Sequence, residues 1–442
     1  MRDWITFPDG RRGRLQWAND PDRARQWQRL LADAHGLTSS RPRCDCLAQG
    51  QTLSLSIREM NRSLNGRPAR HYVLARMPYD GPRHAPSCPF HQADPTRSGR
   101  RGYADDVIRE LQDGRLRIRL AGGLSQRAAI VPARPEPALG GGRSGSSHRQ
   151  AQMTLLGLMQ LLWEQARLND FAPPDLGRRK WWPSVRAALQ DAAATIMVGP
   201  DPLDRHLAAI GFADDDGPRL LAAAMDDIGS DQRLLLIGLV NHLSIREQDP
   251  DKTGNPILRL IFDGGEAFNL YVRGAAALGR QIETSFPWAW RELQRPRSER
   301  SIRIAGLVLA TIRRDKTGSS RLFAWAESIA LMELGPALVP VASPHELAVL
   351  RALIDAGRQF RKPLRFDSDR DLVLPDFELL DTADSRGTPM EVFGRTDEAY
   401  LTRLAEKRAY YDATYGAAQW WSWDATAAAE WPSFPPPVAQ PE

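Results

Sequence analysis

A stretch of proline followed by glycine and serine in the first third of the chain cannot contribute to a packed core. It begins Val131-Pro-Ala-Arg-Pro-Glu-Pro and continues Gly140-Gly-Gly-Arg-Ser-Gly-Ser-Ser. Segments of this composition bury little apolar surface and behave as linkers. Because the 442 residues also exceed the ~100–200 of an ordinary domain, the sequence predicts several domains and a linker at residues 131–149.

Composition excludes some classes of protein. The chain is 42% hydrophobic and 26% charged, which is ordinary for a globular protein. No apolar run approaches the ~20 residues that cross a bilayer, and the first residues lack the apolar core of a signal peptide. We therefore expect a cytoplasmic protein without membrane contacts. The net charge of +5 favours an acidic partner such as nucleic acid.

Apolar periodicity separates regions of different secondary structure before residue 338. Alternation such as Thr52-Leu-Ser-Leu-Ser-Ile predicts a β module at residues 1–130. Helical spacing followed by two β-rich blocks predicts a mixed helical and β middle region at residues 150–337. Asp-Lys-Thr-Gly occurs in both blocks, at 251–254 and 315–318. The repeat predicts two hairpins, and an internal duplication would also explain it.

The last part of the chain alternates helix and strand patterns. Residues 338–425 predict an α/β module, and the proline-rich residues 426–442 predict a disordered tail. The fold class expected for the whole chain is α+β with several domains.

Cysteine and histidine cluster in the N-terminal region. Cys44 and Cys46 are followed, after the strand-like stretches, by His84, Cys88 and His91. Three cysteines do not suit a disulfide framework, whereas two ligand pairs at the ends of a β-ribbon can close a tetrahedral zinc site. The predicted ligands are Cys44, Cys46, Cys88 and His91, with His84 as the alternative fourth ligand. A closed set of four indicates structural Zn²⁺, so residues 1–130 are expected to form a zinc-ribbon-like β module. Free thiols are the other interpretation.

A helix and two strands are predicted around two acidic residues of the C-terminal region. Ser343-Pro-His-Glu346 has the pattern of a capping box, which starts a helix ending near Gly357. Pro375 places Asp376 at the beginning of a strand. The next strand, Pro389–Gly394, alternates so that Glu391 and Phe393 share one face. A hairpin between these strands would bring Asp376 and Glu391 side by side.

Paired carboxylates at a sheet edge attract a hard cation such as Mg²⁺ or Mn²⁺. Such a metal lowers the pKa of bound water and stabilises charge on a phosphodiester. Structural interpretations exist for Glu346, for Asp376 and for Lys407 of the next predicted helix, whereas Glu391 interrupts an apolar strand in mid-run. Glu346 is explained by the capping box, Asp376 by a turn at the strand end, and Lys407 by a solvated helix surface.

This arrangement resembles the PD-(D/E)XK nuclease family. Pro375-Asp376 matches its first acidic position, Glu391 its second, and Glu346 the helix glutamate that many members use. The resemblance implies a restriction-endonuclease-like fold and metal-dependent cleavage of DNA. The chain departs from the pattern at Phe393, which stands where the family has its lysine.

Some members carry the basic residue on the following helix. In this chain that helix is predicted from Thr396 to about Tyr411, and one of its faces carries Arg403 and Lys407. By the resemblance, Lys407 is the candidate replacement for the missing lysine, with Arg403 in reserve.

The chain as a whole resembles an uncharacterised bacterial family, the domain-of-unknown-function family eleven-seventy-three. The resemblance covers about residues 40–415 and is carried by the three cysteines and by C-terminal motifs. These motifs are Phe360-Arg-Lys-Pro-Leu-Arg-Phe-Asp367, Leu374-Pro-Asp-Phe377, Pro389-Met-Glu-Val-Phe-Gly394 and the segment from Tyr400 through Lys407 to Tyr411. Members tend to occur on plasmids and integrated mobile elements, which implies DNA as substrate.

Three functions follow as hypotheses. The first is a metal-dependent DNA endonuclease or nickase of a bacterial mobile element, with Asp376, Glu391, Lys407 and Glu346 at the catalytic site. The second is a non-catalytic, zinc-containing nucleic-acid-binding protein with a degenerate nuclease fold. The third is an interaction protein with a structural zinc ion.

Overall fold

The chain forms two compact units. In this computed structural model the described residues are 4–20, 22–37, 40–47, 51–64, 67–77, 80–85, 88–91, 102–104, 106–124, 151–179, 182–210, 225, 228, 232–246, 256–263, 267–314, 322–366, 374–384, 387–394, 398–417 and 419–438. The first unit comprises Met1–Ser98 and Arg109–Leu116, and the second comprises Gly99–Ile108 and Arg117–Glu442. Helices and sheets are mixed, as the α+β expectation requires. The linker predicted at 131–149 lies outside the described residues.

The first unit contains an antiparallel sheet and a helix. Its elements are β1 (Trp4–Thr6), β2 (Arg12–Arg14), α1 (Ala24–Ala34), β3 (Arg43–Cys44), β4 (Leu53–Leu64) and β5 (Arg67–Arg76). Among the described residues the sheet order is β2-β1-β3-β4-β5. Helix α1 buries Trp27, Leu30 and Leu31, which lie on one helical face. A Cβ on Gly13 would come within 2.8 Å of the Trp27 ring, so only glycine lets the helix pack this closely.

The second unit begins with short elements. Strands β6 (Ile108–Glu110) and β7 (Leu116–Ile118) span the points where the chain passes between the units. They are followed by α2 (Leu155–Gln165), β8 (Asp170–Phe171), α3 (Asp175–Arg178), α4 (Trp182–Ala193), β9 (Ile196–Val198) and β10 (Asp201–Pro202). Helix α2 begins where the Thr154 hydroxyl accepts a hydrogen bond from the backbone N–H of Gly157 at 3.2 Å. Its apolar residues Leu158, Met159 and Leu162 are fully buried.

The β-rich middle of the second unit closes into a ring of strands. Its elements are β11 (Leu207–Ala209), β12 (Arg233–Arg246), β13 (Ile257–Phe262), β14 (Ala267–Val272), α5 (Ala275–Ser285), α6 (Pro287–Leu293), β15 (Arg303–Arg314) and β16 (Leu322–Leu334). The first half of β12 pairs with β15 and the second half with β13, and the register shifts between Val240 and His242. Because β13, β14, β16 and β15 pair in turn, the described strands form a closed circuit.

Two facing glycines allow the ring to close. Gly238 of β12 is opposite Gly306 of β15. A Cβ on Gly238 would lie 2.4 Å from the Phe262 ring, and one on Gly306 would lie 2.5 Å from Val240. The two predicted hairpins are confirmed as the antiparallel pairs β12–β13 and β15–β16. Their Asp-Lys-Thr-Gly turns, at 251–254 and 315–318, lie outside the described residues.

The C-terminal part of the second unit is a mixed sheet with two helices. Its elements are α7 (Pro344–Asp355), β17 (Phe360–Arg361), β18 (Phe377–Leu379), β19 (Thr388–Phe393), α8 (Glu398–Tyr415) and β20 (Trp421–Asp424). The described sheet has the order β20-β19-β18-β17-β8, in which only the β19–β20 pair is parallel. One face carries Phe377, Met390 and Val392, which join the large apolar core. Glu391 and Phe393 lie on the opposite face, as the alternation predicts.

The regions expected before and after residue 338 share one apolar core. Residues 150–337 and 338–425, expected as separate regions, belong to the same unit and share one apolar cluster that includes Leu234 and Met390. Strand β8 comes from before residue 338 and pairs with β17. The sequence could not show this, because a strand of two residues has no detectable periodicity.

The tail expected to be disordered contacts the rest of the second unit through Trp431 and Phe434, although most residues of 426–438 are exposed. Trp431 contacts Trp423 with ring centroids 5.2 Å apart, and Phe434 contacts Trp421 at 5.5 Å. The indole N–H of Trp421 donates to the carbonyl of Pro432 at 3.1 Å. Proline lowers the entropy lost on ordering, and the aromatic residues supply apolar contact area, so a proline-rich segment can pack. Within the described residues, no helix combines the length and apolar character needed to cross a bilayer.

Candidate functional site

Three cysteines and one histidine of the first unit converge on one point. Cys44 ends β3, where it pairs with Ile5, and Cys46 lies two residues further on. The Sγ atoms of Cys44 and Cys88 are 3.5 Å apart, and Nδ1 of His84 lies 3.4 Å from Cys46 Sγ and 3.6 Å from Cys88 Sγ. All four ligand atoms lie within 4.8 Å of one another, so the group could hold a metal ion such as zinc.

The surroundings favour negative charge on one of the three sulfurs, that of Cys46, whereas hydrogen bonding to Cys46 and burial raise the pKa of Cys44 and of Cys88. The backbone N–H of Ala85 points at Cys46 Sγ at 3.5 Å, and that of Phe90 points at Cys88 Sγ at 3.4 Å. Hydrogen bonds from Cys44 and Cys88 lower the pKa of Cys46 well below its ordinary value. Metal-bound cysteine is a thiolate, and a bound cation would offset the cost of placing three thiolates side by side. Cys44 and Cys88 are almost fully buried, which suits a closed structural site.

The histidine of the group is His84, which the sequence analysis gave as the alternative to His91. His84 follows the 3₁₀ turn Gly81–Arg83 and is 2% exposed, with Nδ1 directed at two sulfurs. His91 is not part of the converging group. Its backbone N–H donates to the Cys88 carbonyl at 3.0 Å, which turns the chain after the last cysteine. Spacing alone could not separate the two histidines, because both lie within four residues of Cys88.

The hairpin of β18 and β19 brings Asp376 beside Glu391. The backbone N–H of Asp376 donates to the Met390 carbonyl at 2.9 Å, and its Oδ2 accepts from the backbone N–H of Val392 at 2.8 Å. Phe377 pairs with Met390, so the preceding residue lies opposite Glu391. Glu391 is 1% exposed. The two side chains that the sequence predicted to meet are therefore neighbours on the buried, polar side of the sheet.

Helix α8 supplies the partners of Glu391. The ammonium group of Lys407 lies 2.9 Å from each carboxylate oxygen of Glu391. One turn later, the Tyr411 hydroxyl donates to Oε1 at 2.8 Å. This spacing of four residues places both groups on one helical face. The side chain of Arg403, the reserve candidate, lies outside the described part of the chain.

A second lysine, Lys362, contacts the carboxylates of Glu346 and Asp376, and the sequence analysis did not identify it. Lys362 is 5% exposed. Its ammonium group lies 2.8 Å from Glu346 Oε2 and 3.8 Å from Asp376 Oδ1, and 5.1 Å from the centre of the Phe377 ring. Arg365, with half of its side chain exposed, lies 3.6 Å from the same Asp376 oxygen. Lys362 and Arg365 belong to the same basic segment, residues 358–367. The sequence does not show that the first is buried and the second is exposed; the fold determines this.

The capping interpretation of Glu346 is confirmed. The hydroxyl of Ser343 accepts from the backbone N–H of Glu346 at 3.1 Å, and Glu346 Oε2 accepts from the backbone N–H of Ala342 at 2.9 Å. The same oxygen receives Lys362, so the cap and the ion network share one carboxylate. Glu346 therefore has a complete structural role before any ligand is considered.

Charge compensation dominates the electrostatics of this cluster. Burial raises the pKa of Asp376, but Lys362, Arg365 and Lys407 outweigh burial and hold that pKa below its ordinary value. Burial and the nearby Asp376 charge raise the pKa of Glu391 to about 7, against the opposing effect of Lys407. Among the described residues only the cysteine–histidine group brings three or more ligand atoms within 4.8 Å. The carboxylates of Glu346, Asp376 and Glu391 therefore contact lysine side chains and do not meet at one point.

A neighbouring row of buried charges runs across the same face of the sheet. Arg361 donates from Nε to Asp170 Oδ1 at 2.7 Å and lies 3.9 Å from Glu378. Arg167 also pairs with Asp170. Burial raises the pKa of Asp170, but the two arginines overcome it and lower that pKa well below its usual range. This row ties β8, β17 and β18 together.

Comparison with known proteins identifies the family. The family model described as "Protein of unknown function (DUF1173)" matches residues 14–426, which include both the cysteine group and the carboxylate cluster. No curated protein and no solved structure matches the chain. The family that the sequence resembles is thus established over nearly the whole chain: the protein belongs to the DUF1173 family.

Proposed function

We propose that the C-terminal sheet carries the site of a Mg²⁺- or Mn²⁺-dependent DNA endonuclease or nickase of a bacterial mobile element, acting in the cytoplasm. One observation carries the proposal: Lys407, the expected substitute for a displaced lysine, contacts both oxygens of Glu391. The order along the chain also agrees with the PD-(D/E)XK resemblance. Glu346 lies on a helix, Asp376 precedes a strand, Glu391 lies on the next strand, and Lys407 lies on the following helix.

Asp376 and Glu391 are the proposed cation ligands. Mg²⁺ takes one or two protein carboxylates and keeps several waters, so a pair is sufficient without a third ligand. The raised pKa of Glu391 reflects the cost of two adjacent buried carboxylates, a cost that a divalent cation relieves. Bound there, the cation would lower the pKa of a water molecule and stabilise charge on the phosphate.

The remaining side chains have positioning roles in this proposal. The backbone N–H of Val392 holds Asp376 in one orientation. Lys407, once its carboxylate partner is engaged elsewhere, can orient the attacking water or stabilise the hydroxide. Arg365 is the solvent-exposed cation beside Asp376 and is suited to contact a phosphate oxygen of the DNA backbone.

A second candidate function is non-catalytic binding of nucleic acid on a degenerate nuclease fold. The specific observation in its favour is the complete matching of carboxylates by cations, which a purely structural network would also have. Phe393 at the expected lysine position is 1% exposed, and Arg408 lies 5.4 Å from the centre of its ring. At this position the chain therefore has a buried aromatic side chain that packs, and no group that could take part in catalysis.

Nicking of supercoiled plasmid DNA distinguishes these functions. We expect cleavage by the wild type with Mg²⁺ or Mn²⁺, no cleavage by Asp376→Asn or Glu391→Gln, and a loss of about 100-fold for Lys407→Met. Glu406→Gln is the matched control, because Glu406 is an exposed neighbour on the same helix and should retain activity. Thermal unfolding of each variant checks that it is folded. Salt-sensitive DNA binding without nicking by the wild type would instead support the second function.

Zn²⁺ is the cation proposed for the cysteine–histidine group, with a structural role. Three thiolates and one imidazole form a donor set that zinc takes in tetrahedral geometry, leaving no position for water. The ligands come from two segments far apart in sequence, so one ion would hold these segments together beside the apolar core of the first unit.

A further inference from the structure

A cavity of about 530 Å³ opens beside the ring of strands, between helix α5 and strands β14, β15 and β16. None of its lining residues in the described part of the chain belongs to either site presented above. Three arginines and an indole ring are among the side chains lining it: Arg233, Arg273, Arg313 and Trp325. Thr311 and Gln281 add hydrogen-bonding groups.

Among the described residues, the cavity is lined by three arginines but by a single acidic residue, Glu327, so its lining carries a net positive charge. Glu327, which also lines it, is engaged by Arg233 at 2.9 Å and by the hydroxyl of Thr311. Arg233 also donates to the carbonyl of Gly123 at 3.4 Å, so its position is set by the protein. Of the described arginines that line the cavity, Arg273 and Arg313 are the two that are not paired with Glu327.

Arg313 carries an unsatisfied donor. Its Nε atom is buried and has no hydrogen-bond partner among the described residues. A buried N–H of this kind is unfavourable unless a ligand or water accepts from it. Arg313 belongs to β15, and its side chain reaches the same cavity as Arg273, which is exposed and follows β14. Two guanidinium groups at one opening suit a phosphate group.

The aromatic wall of the cavity is flat and held in place. Trp325 of β16 and Tyr271 of β14 are register partners in the parallel pair. Their ring centroids are 5.2 Å apart with an interplanar angle of 36°. Both residues are only partly buried, so Trp325 presents indole surface to the cavity. An aromatic side chain supported by a second ring is a common platform for a nucleobase.

We infer that this cavity binds one nucleotide unit of single-stranded nucleic acid, with the base against Trp325 and the phosphate on Arg273 and Arg313. A simple anion would make no use of the indole ring, and an apolar ligand would leave the arginine donors unpaired. A duplex keeps its bases stacked and offers no free base face to Trp325, which favours a single strand. This binding requires no divalent cation and does not depend on whether the carboxylate cluster cleaves DNA.

Fluorescence anisotropy of a labelled oligothymidylate of about 15 nucleotides tests the inference. The full-length protein is titrated in about 50 mM salt without added Mg²⁺ or Mn²⁺. No chelator is present, because it would remove the zinc proposed for the first unit. Cleavage does not occur under these conditions, so failure of the nuclease proposal cannot affect the result. Trp325→Ala should raise the Kd about tenfold, and Trp325→Phe should raise it much less. Arg313→Gln and Arg273→Gln should each weaken binding and reduce its salt dependence.

The control variants replace an aromatic residue and an arginine that do not line the cavity. Tyr410 is 46% exposed and the Arg205 side chain 59% exposed, and Tyr410→Ala and Arg205→Gln should leave the Kd unchanged. If Trp325→Ala does not fold, the Kd values of Trp325→Phe, Arg313→Gln and Arg273→Gln test the inference instead. Unchanged Kd values in Arg273→Gln and Arg313→Gln would overturn the inference. Equal competition by duplex DNA of the same length, or by thymidine monophosphate, would overturn it as well.

Discussion

The ammonium group of Lys407 lies 2.9 Å from both carboxylate oxygens of Glu391, although the two residues are 16 positions apart and belong to different elements. Glu391 is 1% exposed and the side chain of Lys407 is 19% exposed, so most of this ion pair is removed from water. An ion pair in such a position contributes chiefly by preventing an isolated buried charge. The same contact joins helix α8 to strand β19.

Removal of Lys407 alone should destabilise the protein. Lys407→Met leaves the Glu391 carboxylate buried without its cation, and we expect a loss of about 3 kcal/mol in the free energy of unfolding. The double variant Glu391→Gln, Lys407→Met should recover part of this loss, because the uncompensated charge is gone. Urea denaturation of both single variants and the double variant gives the coupling energy. Strictly additive effects would contradict the contact.

The buried pair of Asp170 with Arg361 should make stability dependent on acid pH. The pKa of Asp170 is lowered in the folded protein, so its contribution is fully present above the pKa of the unfolded chain. At pH 7, Asp170→Asn should cost about 3 kcal/mol. The difference from wild type should begin to shrink once the pH falls below about 4, where the unfolded carboxyl takes up a proton.

Asp201→Asn is the control for this titration. Asp201 lies 3.9 Å from Arg205, and both side chains are about half exposed. Its substitution should have little effect at any pH, because exposed pairs contribute little. A difference between wild type and Asp170→Asn that stays constant down to pH about 3 would show that the lowered pKa is wrong.

Metal content should separate His84 from His91. The four ligand atoms of Cys44, Cys46, His84 and Cys88 lie within 4.8 Å of one another. Freshly purified wild type should contain about one zinc ion per chain, and His84→Ala and Cys88→Ala should contain far less. His91→Ala should retain the metal. Elemental analysis measures this directly, and loss of zinc from His91→Ala with retention in His84→Ala would restore the original assignment.

Closure of the ring of strands should not tolerate a side chain at Gly238. A Cβ there would lie 2.4 Å from the Phe262 ring and 2.6 Å from the backbone carbonyl of Ile210. We expect Gly238→Ala to lower the free energy of unfolding by about 2 kcal/mol. Gly177→Ala is the control, because a Cβ at Gly177 meets nothing within 4 Å. Equal urea midpoints for the two variants would refute the close approach.

Local sequence patterns predicted those features that depend on neighbouring residues. The capping box at Ser343 and Glu346 forms because its partners are three residues apart. Alternation along β19 placed Glu391 and Met390 on opposite faces because side chains alternate in any strand. The cysteines were recognised as a group because thiols at short spacing have few other uses in such a chain.

Other features depend on contacts between residues far apart in the sequence, and only the tertiary structure determined these. Lys362 and the other cations of its segment look alike in sequence, and only the fold buries Lys362 between Glu346 and Asp376. The choice of His84 over His91, the pairing of β8 with β17 and the packing of residues 426–438 have the same origin. Periodicity and caps report the conformation of a segment, whereas its partners are selected by the shape and charge of the whole assembled core.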